Sequence, residues 1–423
     1  MPDQSVGRLV VVGQGYVGLP VAVRAVEIGF EVVGFDLDKD RVELLRRAST
    51  FVDDVSDAQI ALALSSGRYV ATGDPEELAG FDVAVVCVPT PLRDGAPDVG
   101  CIEEAGRMIA RHVSAGCCVV LESTTYPGTT EDVLVPILEA GSGLRAGRDF
   151  HVGYSPERID PSNRTWHFEN TPKIVSGIDA ESLRVVQEFY DSLVSRTFAV
   201  PGTREAELAK LLENTFRHVN IALINELAVY THGLGVDVWS VIDAAATKPF
   251  GFMRFEPGPG VGGHCLPIDP SYLSWQVKRS LGQAFRFVDL ANAVNDHMPE
   301  HVVARAVECL NARRKAVNGS RVLLVGLAYK SNSGDARNSP AVAVARLLDK
   351  LGARLSAIDP LVDSAAVPTY VEMVSCDREH LDGADLVIVL TDHDVINWDL
   401  VAQRSDYVLD TRNRMRSGNA EKL

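Results

Sequence analysis

No stretch of this 423-residue chain approaches 18 uninterrupted apolar residues, so a membrane-spanning helix is not expected. Basic residues are outnumbered, 41 Lys plus Arg against 57 Asp plus Glu, and they gather in no stripe. A net charge of −16 argues against a general nucleic-acid binder, while a local basic pocket can still meet an anionic substrate. The opening "MPDQSVGRLVVVGQGYVGLP" lacks the basic start, apolar run and small-residue cleavage site of a signal peptide. Cysteine is sparse: seven residues, an odd number scattered along the chain, exclude the disulfide framework of a small secreted domain and favour a reducing compartment, the cytoplasm by default. Metal-ligand spacing is missing too. Cys117 and Cys118 are adjacent, and His297 and His301 bracket Pro299 with no third partner, so no metal is expected. Low-complexity tracts are absent, apart from a polar tail, "RSGNAEKL", that is expected to fray.

What is present is a repeated strand-turn-helix pattern in a chain long enough for two or three domains. The run "RLVVV" ends in "GQGYVG" and leads into "LPVAVRAVEIG", a helix closed by glycine. The next strand, "EVVGFD", ends at Asp36, 18 residues after Gly18 and close to where a dinucleotide fold places its acidic ribose partner. Gly13 permits the tight turn, Gly15 lets backbone N–H groups approach a pyrophosphate, and Gly18 allows close helix packing, with Tyr16 and Val17 completing the turn. A carboxylate at Asp36 repels a 2′-phosphate, so the expected cofactor is NAD; Arg41 lies five residues later, as a cofactor neighbour or a solvated charge.

Three further strands, in "DVAVVCVPTP", "CCVVLESTTYPG" and "FHVGYSPER", turn polar or proline-rich at their carboxyl ends. Ligands of doubly wound sheets sit beyond those ends, so Pro89, Thr90, Ser123, Thr124 and Glu157 are expected to share one crevice. Cys87, Cys117 and Cys118 lie inside the apolar runs and read as core. A second strand series follows in "SRVLLVGLAYK", "ARLSAIDP", "ADLVIVLTDHD" and "DYVLDTRN". It has no GxGxxG after its first strand, so a second dinucleotide is not expected there.

Between the two series, "TREAELAKLLENTFRHVNIALINELAVYTHGLG" reads as one long helix with Thr203 as N-cap. Leu208, Leu211, Leu212, Val219, Leu223 and Leu227 are expected to form its buried stripe. Glu207, Lys210 and Asn214 share another face, ordinarily a solvated one. A long helix joining two lobes is also a common dimer contact. The expected fold is therefore α/β in three parts: a Rossmann-type dinucleotide domain over 1–200, a central helical region over 201–310, and a Rossmann-like α/β domain over 311–423.

One loop fits none of this packing logic. In "GPGVGGHCLPIDP" four glycines and three prolines surround the lone Cys265. With "GQGYVGLP", "ESTTYPGTT", "SPER", "AELAKLLENTFRHVNIALINE" and "GLAYKSNSGDARNSP", this block makes the chain resemble the nucleotide-sugar 6-dehydrogenases, the UDP-glucose, UDP-N-acetylhexosamine and GDP-mannose dehydrogenase group, over nearly its whole length.

The resemblance implies oxidation of a primary alcohol to a carboxylate with reduction of two NAD and no release of the aldehyde. Cys265 matches the nucleophile: a thiolate turns the aldehyde into a thiohemiacetal that can lose a second hydride, leaving a thioester for water to hydrolyse. Lys210 and Asn214 match the pair beside the reacting carbon, and Asn214 and Thr124 are assigned to ordered water or sugar oxygens. Asp269 matches the carboxylate that positions water, and Glu157 matches a second acid at the junction of cofactor and sugar, with the general base left open between the two. Arg158, Arg254, Phe255, Glu256, Gly258 and Gly262 are assigned to the substrate, as are Lys330 and Arg412 at strand ends of the second series. Arg337 resembles an arginine that reaches NAD. The resemblance also points to a homodimer through the central helix.

Two departures stand out. Ile268 replaces a lysine that touches the cofactor phosphates in glucose-type members, and an arginine donated across the dimer aligns with Pro249, leaving Arg254 as the nearest substitute. The form of the cysteine block leans towards N-acetylhexosamine over glucose, with uracil against thymine, hence dTDP-glucose, left open. The competing enzyme reading is a two-electron NAD-dependent hydroxyacid dehydrogenase, which shares the Lys210/Asn214 spacing and has no use for Cys265.

Overall fold

The computed structural model of the chain describes residues 7–52, 54–93, 95–159, 163, 165–263, 266–415 and 420–423. Two compact units emerge, one formed by residues up to Glu213 with Trp275–Gly282, the other by Asn214–Ser274 with Gln283–Leu423.

The first unit is built on strands β1 (Arg8–Val12), β2 (Glu31–Phe35), β3 (Tyr69–Thr72), β4 (Val83–Val86), β5 (Cys118–Leu121), β6 (His151–Tyr154), β7 (Lys173–Gly177) and β8 (Thr197–Ala199). Their order in the sheet is β8-β7-β6-β5-β4-β1-β2-β3. From β3 to β6 neighbours run parallel, so both faces are covered and the strands are short apolar runs; Val83–Val86 and Cys118–Leu121 are buried throughout. β7 runs antiparallel to β6, with Gly153 opposite Gly177. That reversal carries the start of β7, and so Lys173, to the sheet edge where the parallel strands end. Cys117 and Cys118 lie in the core as expected.

In the second unit β9 (Arg321–Val325), β10 (Arg354–Ile358), β11 (Val371–Met373), β12 (Leu386–Val389), β13 (Val408–Asp410) and β14 (Ala420–Lys422) form a parallel sheet of order β11-β10-β9-β12-β13-β14. The six strands from β3 to β6 and these six follow the same 3-2-1-4-5-6 order, the doubly wound arrangement of dinucleotide folds. Of the tail, the described residues 420–423 do not fray. Ala420–Lys422 pairs with β13, Leu423 is buried, and Glu421 meets Arg305 at 2.9 Å. A strand edge offering unpaired N–H and C=O groups outweighs the polar composition of the segment.

The long helix runs from Thr203 to Gly233, and two expectations about it are corrected. Thr203 lies within the helix, its hydroxyl donating to Glu131 at 2.8 Å. The faces are inverted as well. Leu208, Leu212 and Leu223 are 43%, 62% and 59% exposed, while Glu207 is fully buried and Lys210 nearly so; of the expected stripe only Leu211 is fully covered. Periodicity located a coherent apolar face but could not say which face this chain covers by itself.

Candidate active site

The first unit's site begins at the turn after β1. Gly13 has φ +94°, and a Cβ there would lie 2.3 Å from the Cys87 carbonyl oxygen. A Cβ on Gly18 would meet the Gly13 carbonyl oxygen at 1.9 Å, so two positions admit only glycine. Gly15 is the informative contrast: a Cβ there would meet nothing within 4 Å. That open space in front of the helix Gly18–Ile28, whose N-cap is Val17, is where the backbone can receive a pyrophosphate. Asp36 closes the far side. Its carboxylate accepts from Gln14 N and Asp38 N at 2.8 and 2.9 Å and from Arg41 Nη1 at 2.8 Å. Arg41 lies over Phe51, which also meets Tyr16 edge-on. Turn, space and carboxylate together fit NAD.

The strand ends converge as expected. Thr90 Oγ1 donates to the Thr124 carbonyl at 2.7 Å, and Ser123 Oγ donates to the Val88 carbonyl at 2.8 Å, fixing the loops after β4 and β5, with Pro89 between them. Glu157 follows β6; its Oε1 accepts the backbone N–H groups of Arg158 and Ile159 at 2.6 and 2.7 Å. The Arg158 guanidinium is held by Glu213 at 2.7 Å and the Pro172 carbonyl at 2.6 Å.

Behind Glu157 lies a cluster that sequence reading missed. Lys173 Nζ reaches Glu157 Oε2 at 3.1 Å and Glu122 Oε1 at 2.9 Å, and Tyr190 donates to Glu122 at 2.5 Å. All are buried. Burial raises the Glu122 carboxyl, with Lys173 offsetting only part of the effect. Burial also pushes Glu157 up, but Lys173, the Ile159 N–H and the charge of Lys210 outweigh it and hold that carboxyl below its usual range. The signal in the sequence was a charge at the end of an apolar run, Glu122 directly after "CCVVL" and Lys173 directly before "IVSG".

Glu207, one helical turn before Lys210, accepts from Gly128 N, Thr130 N and Thr130 Oγ1 at 2.5, 2.9 and 2.7 Å. Burial nonetheless lifts its carboxyl to about 7. The helix that carries Lys210 is thereby tied to the loop that follows Ser123 and Thr124.

In the second unit Asn214 Nδ2 donates to Asp269 Oδ2 at 2.5 Å, joining the long helix to the start of the helix Asp269–Leu281. Cys265 lies outside the described residues. Gly258 is buried against Arg412: a Cβ there would lie 2.5 Å from the guanidinium. Its N–H donates to Asn225 at 3.0 Å, and Arg412 Nε donates to the Leu390 carbonyl at 2.8 Å. Burial lowers the Arg412 guanidinium, with Asp392, Glu256 and Asp410 acting the other way. Phe255 meets Phe216 edge-on, whereas Arg254 is exposed and paired with Asp243 and Glu256 at 2.6 and 2.9 Å. At Gly262 the close approach is to Asn338, Pro340 and Tyr329 of this chain. Lys330 stands five residues past β9, and Arg337 pairs with Asp335 at 2.6 Å.

Three family descriptions match the chain in succession: the UDP-glucose/GDP-mannose dehydrogenase family NAD binding domain over residues 7–194, its central domain over 204–297 and its UDP binding domain over 323–417. A UDP-N-acetyl-D-glucosamine 6-dehydrogenase of Pseudomonas aeruginosa is 39% identical over 84% of this chain and 83% of its own length. A UDP-N-acetyl-D-mannosamine dehydrogenase of Pyrococcus horikoshii is 33% identical over 96% of this chain and 95% of its own. Among solved structures, a UDP-glucose dehydrogenase from Pyrobaculum islandicum superimposes with a TM-score of 0.89 at 29% identity, covering 100% of this chain and 98% of that one.

Proposed function

Since the chain belongs to the UDP-glucose/GDP-mannose dehydrogenase family and is an NAD-dependent oxidoreductase acting on a CH–OH group, we propose that it converts the sugar 6-hydroxymethyl of a UDP-N-acetylhexosamine to the carboxylate in two oxidations. The observation that carries this reading is the Asn214–Asp269 bond, which holds the carboxylate that lies four residues past Cys265 in the sequence. The two-electron hydroxyacid reading is set aside, because the relatives are sugar dehydrogenases.

NAD, when bound, supplies the hydride acceptor for both oxidations. Gly13, Gly15 and Gly18 would seat its pyrophosphate and Asp36 would take its ribose hydroxyls, with Thr90, Ser123 and Thr124 as further residues that would hold it. The Lys210 ammonium stabilises negative charge on the reacting oxygen at the alkoxide and tetrahedral stages. The thiol of Cys265 adds to the aldehyde carbon; the resulting thiohemiacetal loses a hydride and a proton to become a thioester. Asp269 and Asn214 position the water that hydrolyses it, returning the thiol and releasing the acid. Glu157, its carboxyl held below the usual range and both oxygens hydrogen-bonded, serves as fixed negative charge and not as the proton acceptor. Arg412, Lys330 and the Phe255–Gly258 segment bind the nucleotide sugar, and the functional parts are residues 1–200, 201–310 and 311–423.

The exposed apolar face of the long helix, Leu208, Leu212, Phe216, Leu223 and Tyr230, supports a homodimer through that helix. A charged side chain in Leu212→Asp is expected to shift the species seen by light scattering to monomer. The scattered cysteines, free at all six positions among the described residues, support a cytoplasmic enzyme. No described helix is long and apolar enough to cross a membrane.

The deciding experiment is a panel of UDP-glucose, dTDP-glucose, UDP-N-acetylglucosamine, UDP-N-acetylmannosamine and GDP-mannose, scored as NADH per sugar. Two NADH per UDP-N-acetylhexosamine are expected; one NADH with free aldehyde would sink the four-electron reaction. Cys265→Ser should abolish completion of the second oxidation while NAD affinity is retained, and full turnover in that variant would remove the thiol from the mechanism.

A further inference from the structure

Lys173 stands where a strand start is not ordinarily found. In a parallel sheet the carboxyl edge receives only strand ends, and ligands bind beyond them. Because β7 runs antiparallel to β6, its first residue reaches that edge beside Glu157, which follows the end of β6, and Glu122, which follows the end of β5. The ammonium has 2.9 Å and 3.1 Å contacts to the two carboxylates and lies 5.4 and 5.3 Å from the ring centres of Phe168 and Tyr190. Its side chain is 4% exposed, and the side chains of Glu122 and Glu157 are 0% and 11% exposed. Two anions sharing one cation out of water is a costly arrangement for stability alone, where apolar groups of the same volume would serve as well.

We propose that Lys173 is the positioning residue for Glu157: its ammonium, clamped between Glu122 and Glu157, keeps the Glu157 carboxylate ionised and in one orientation at the carboxyl edge of the first sheet. This rests on the reading of Glu157 as a working group of the site. The hydrogen-bond pattern divides the labour. Glu157 Oε1 is taken by the two backbone N–H groups and Oε2 by the ammonium, so the carboxylate cannot turn. Glu122 is the second anion and also accepts from the Tyr190 hydroxyl and, at 3.5 Å, from the Cys87 thiol. The groups facing Glu157 are therefore Lys173 from β7, Lys210 from the long helix, and Glu122, whose own carboxyl the charge of Glu157 raises and which is backed by Tyr190 and Cys87. Lys173 and Lys210 favour its charge and Glu122 opposes it. Removing the ammonium would leave two adjacent buried carboxylates, which share a proton.

The test compares pH profiles of kcat in four variants of the full-length enzyme. Glu157→Gln comes first: a wild-type kcat there would refute the role of Glu157 itself, whatever Lys173 does. With that variant impaired, Lys173→Met is expected to lower kcat roughly 10- to 100-fold with KM for NAD within about threefold, and to add an acid-side limb near neutral pH. Adding Glu122→Gln to Lys173→Met removes the second anion and should recover most of the lost kcat and abolish the new limb. A purely structural lysine would not be rescued in this way. Should Lys173→Met fail to fold, Glu122→Gln alone decides, because relieving Glu157 of the opposing charge should move the acid limb of kcat to lower pH. A wild-type pH profile in Lys173→Met, or in Glu122→Gln when Lys173→Met does not fold, overturns the proposal.

Discussion

The turns after β1 and β9 are built alike and used differently. Gly13 and Gly326 both have positive φ, +94° and +85°, and a Cβ on either would strike a carbonyl oxygen across the sheet, Cys87 at 2.3 Å or Thr391 at 2.2 Å. Each donates its N–H to the end of the next strand, Gly13 to Phe35 at 2.8 Å and Gly326 to Ile358 at 2.9 Å. Each following residue donates to an aspartate just past that strand, Gln14 to Asp36 at 2.8 Å and Leu327 to Asp359 at 2.7 Å. Beyond this the two part. Gly15 leaves open space, whereas Ala328 in the matching place is buried and donates to Asp359 at 3.1 Å. Asp359 is further consumed by Leu361 N, Val362 N and His393 Nε2, whose other ring nitrogen accepts from Asn332 N. One aspartate can still face a ribose; the other has become an internal brace for the loop that carries Lys330. Strand order makes the crevice, and what fills the turn decides whether a dinucleotide can enter it.

The strongest way to break the comparison is to place a side chain at each glycine. Both Gly13→Ala and Gly326→Ala should lose roughly 3 kcal/mol of stability and several degrees of Tm. Gly13→Ala should also abolish NAD binding by titration, whereas Gly326→Ala should leave the NAD Kd within about threefold. Equal NAD affinity in the two variants would mean that the turns are not specialised.

The next effect tests the brace. Backbone N–H groups and His393 overcome burial and hold the Asp359 carboxyl down to about 2, from 3.8. A depressed carboxyl stabilises the fold above its unfolded value, and the gain is lost as pH falls through 3.8 towards 2. At about 1.4 kcal/mol per unit, Asp359→Asn should cost about 2 kcal/mol at pH 7 and nothing extra at pH 2. Thermal melts at both pH values check this; a constant difference would deny the linkage. The smallest effect on stability belongs to Gly15→Ala. It should change stability by under about 1 kcal/mol, yet weaken NAD at least about tenfold by filling the open space. Unchanged NAD affinity would move the pyrophosphate elsewhere.

Much of this was legible in the sequence, because glycine spacing and strand-end residues are local signals. Gly13, Gly15, Gly18 and Asp36 came from one 24-residue stretch, and the missing GxGxxG after β9 set the second strand series apart from the first. Convergence at the carboxyl ends of β4, β5 and β6 followed from the doubly wound order alone. What escaped depends on partners far along the chain. Lys173 meets Glu122 and Glu157 only because β7 reverses direction, and no periodicity announces an antiparallel strand in a parallel sheet. The long helix misled for a related reason. Its polar face, with Glu207 and Lys210, is covered by its own chain, while Leu208, Leu212 and Leu223 face outward. Apolar spacing says that a face will be covered and leaves open by what.

Glu207 leaves a thermodynamic mark of its own. A carboxyl near 7 in the fold and 4.5 in the unfolded chain favours the folded state fully only below 4.5, and that contribution drains away as pH rises to 7. Between those values folding takes up a proton, the reverse of what Asp359 does in acid. Unfolding near pH 6 therefore hands close to one proton per chain to the buffer from this group, and the heat measured in a calorimeter should differ between phosphate and an amine buffer by their heats of ionisation.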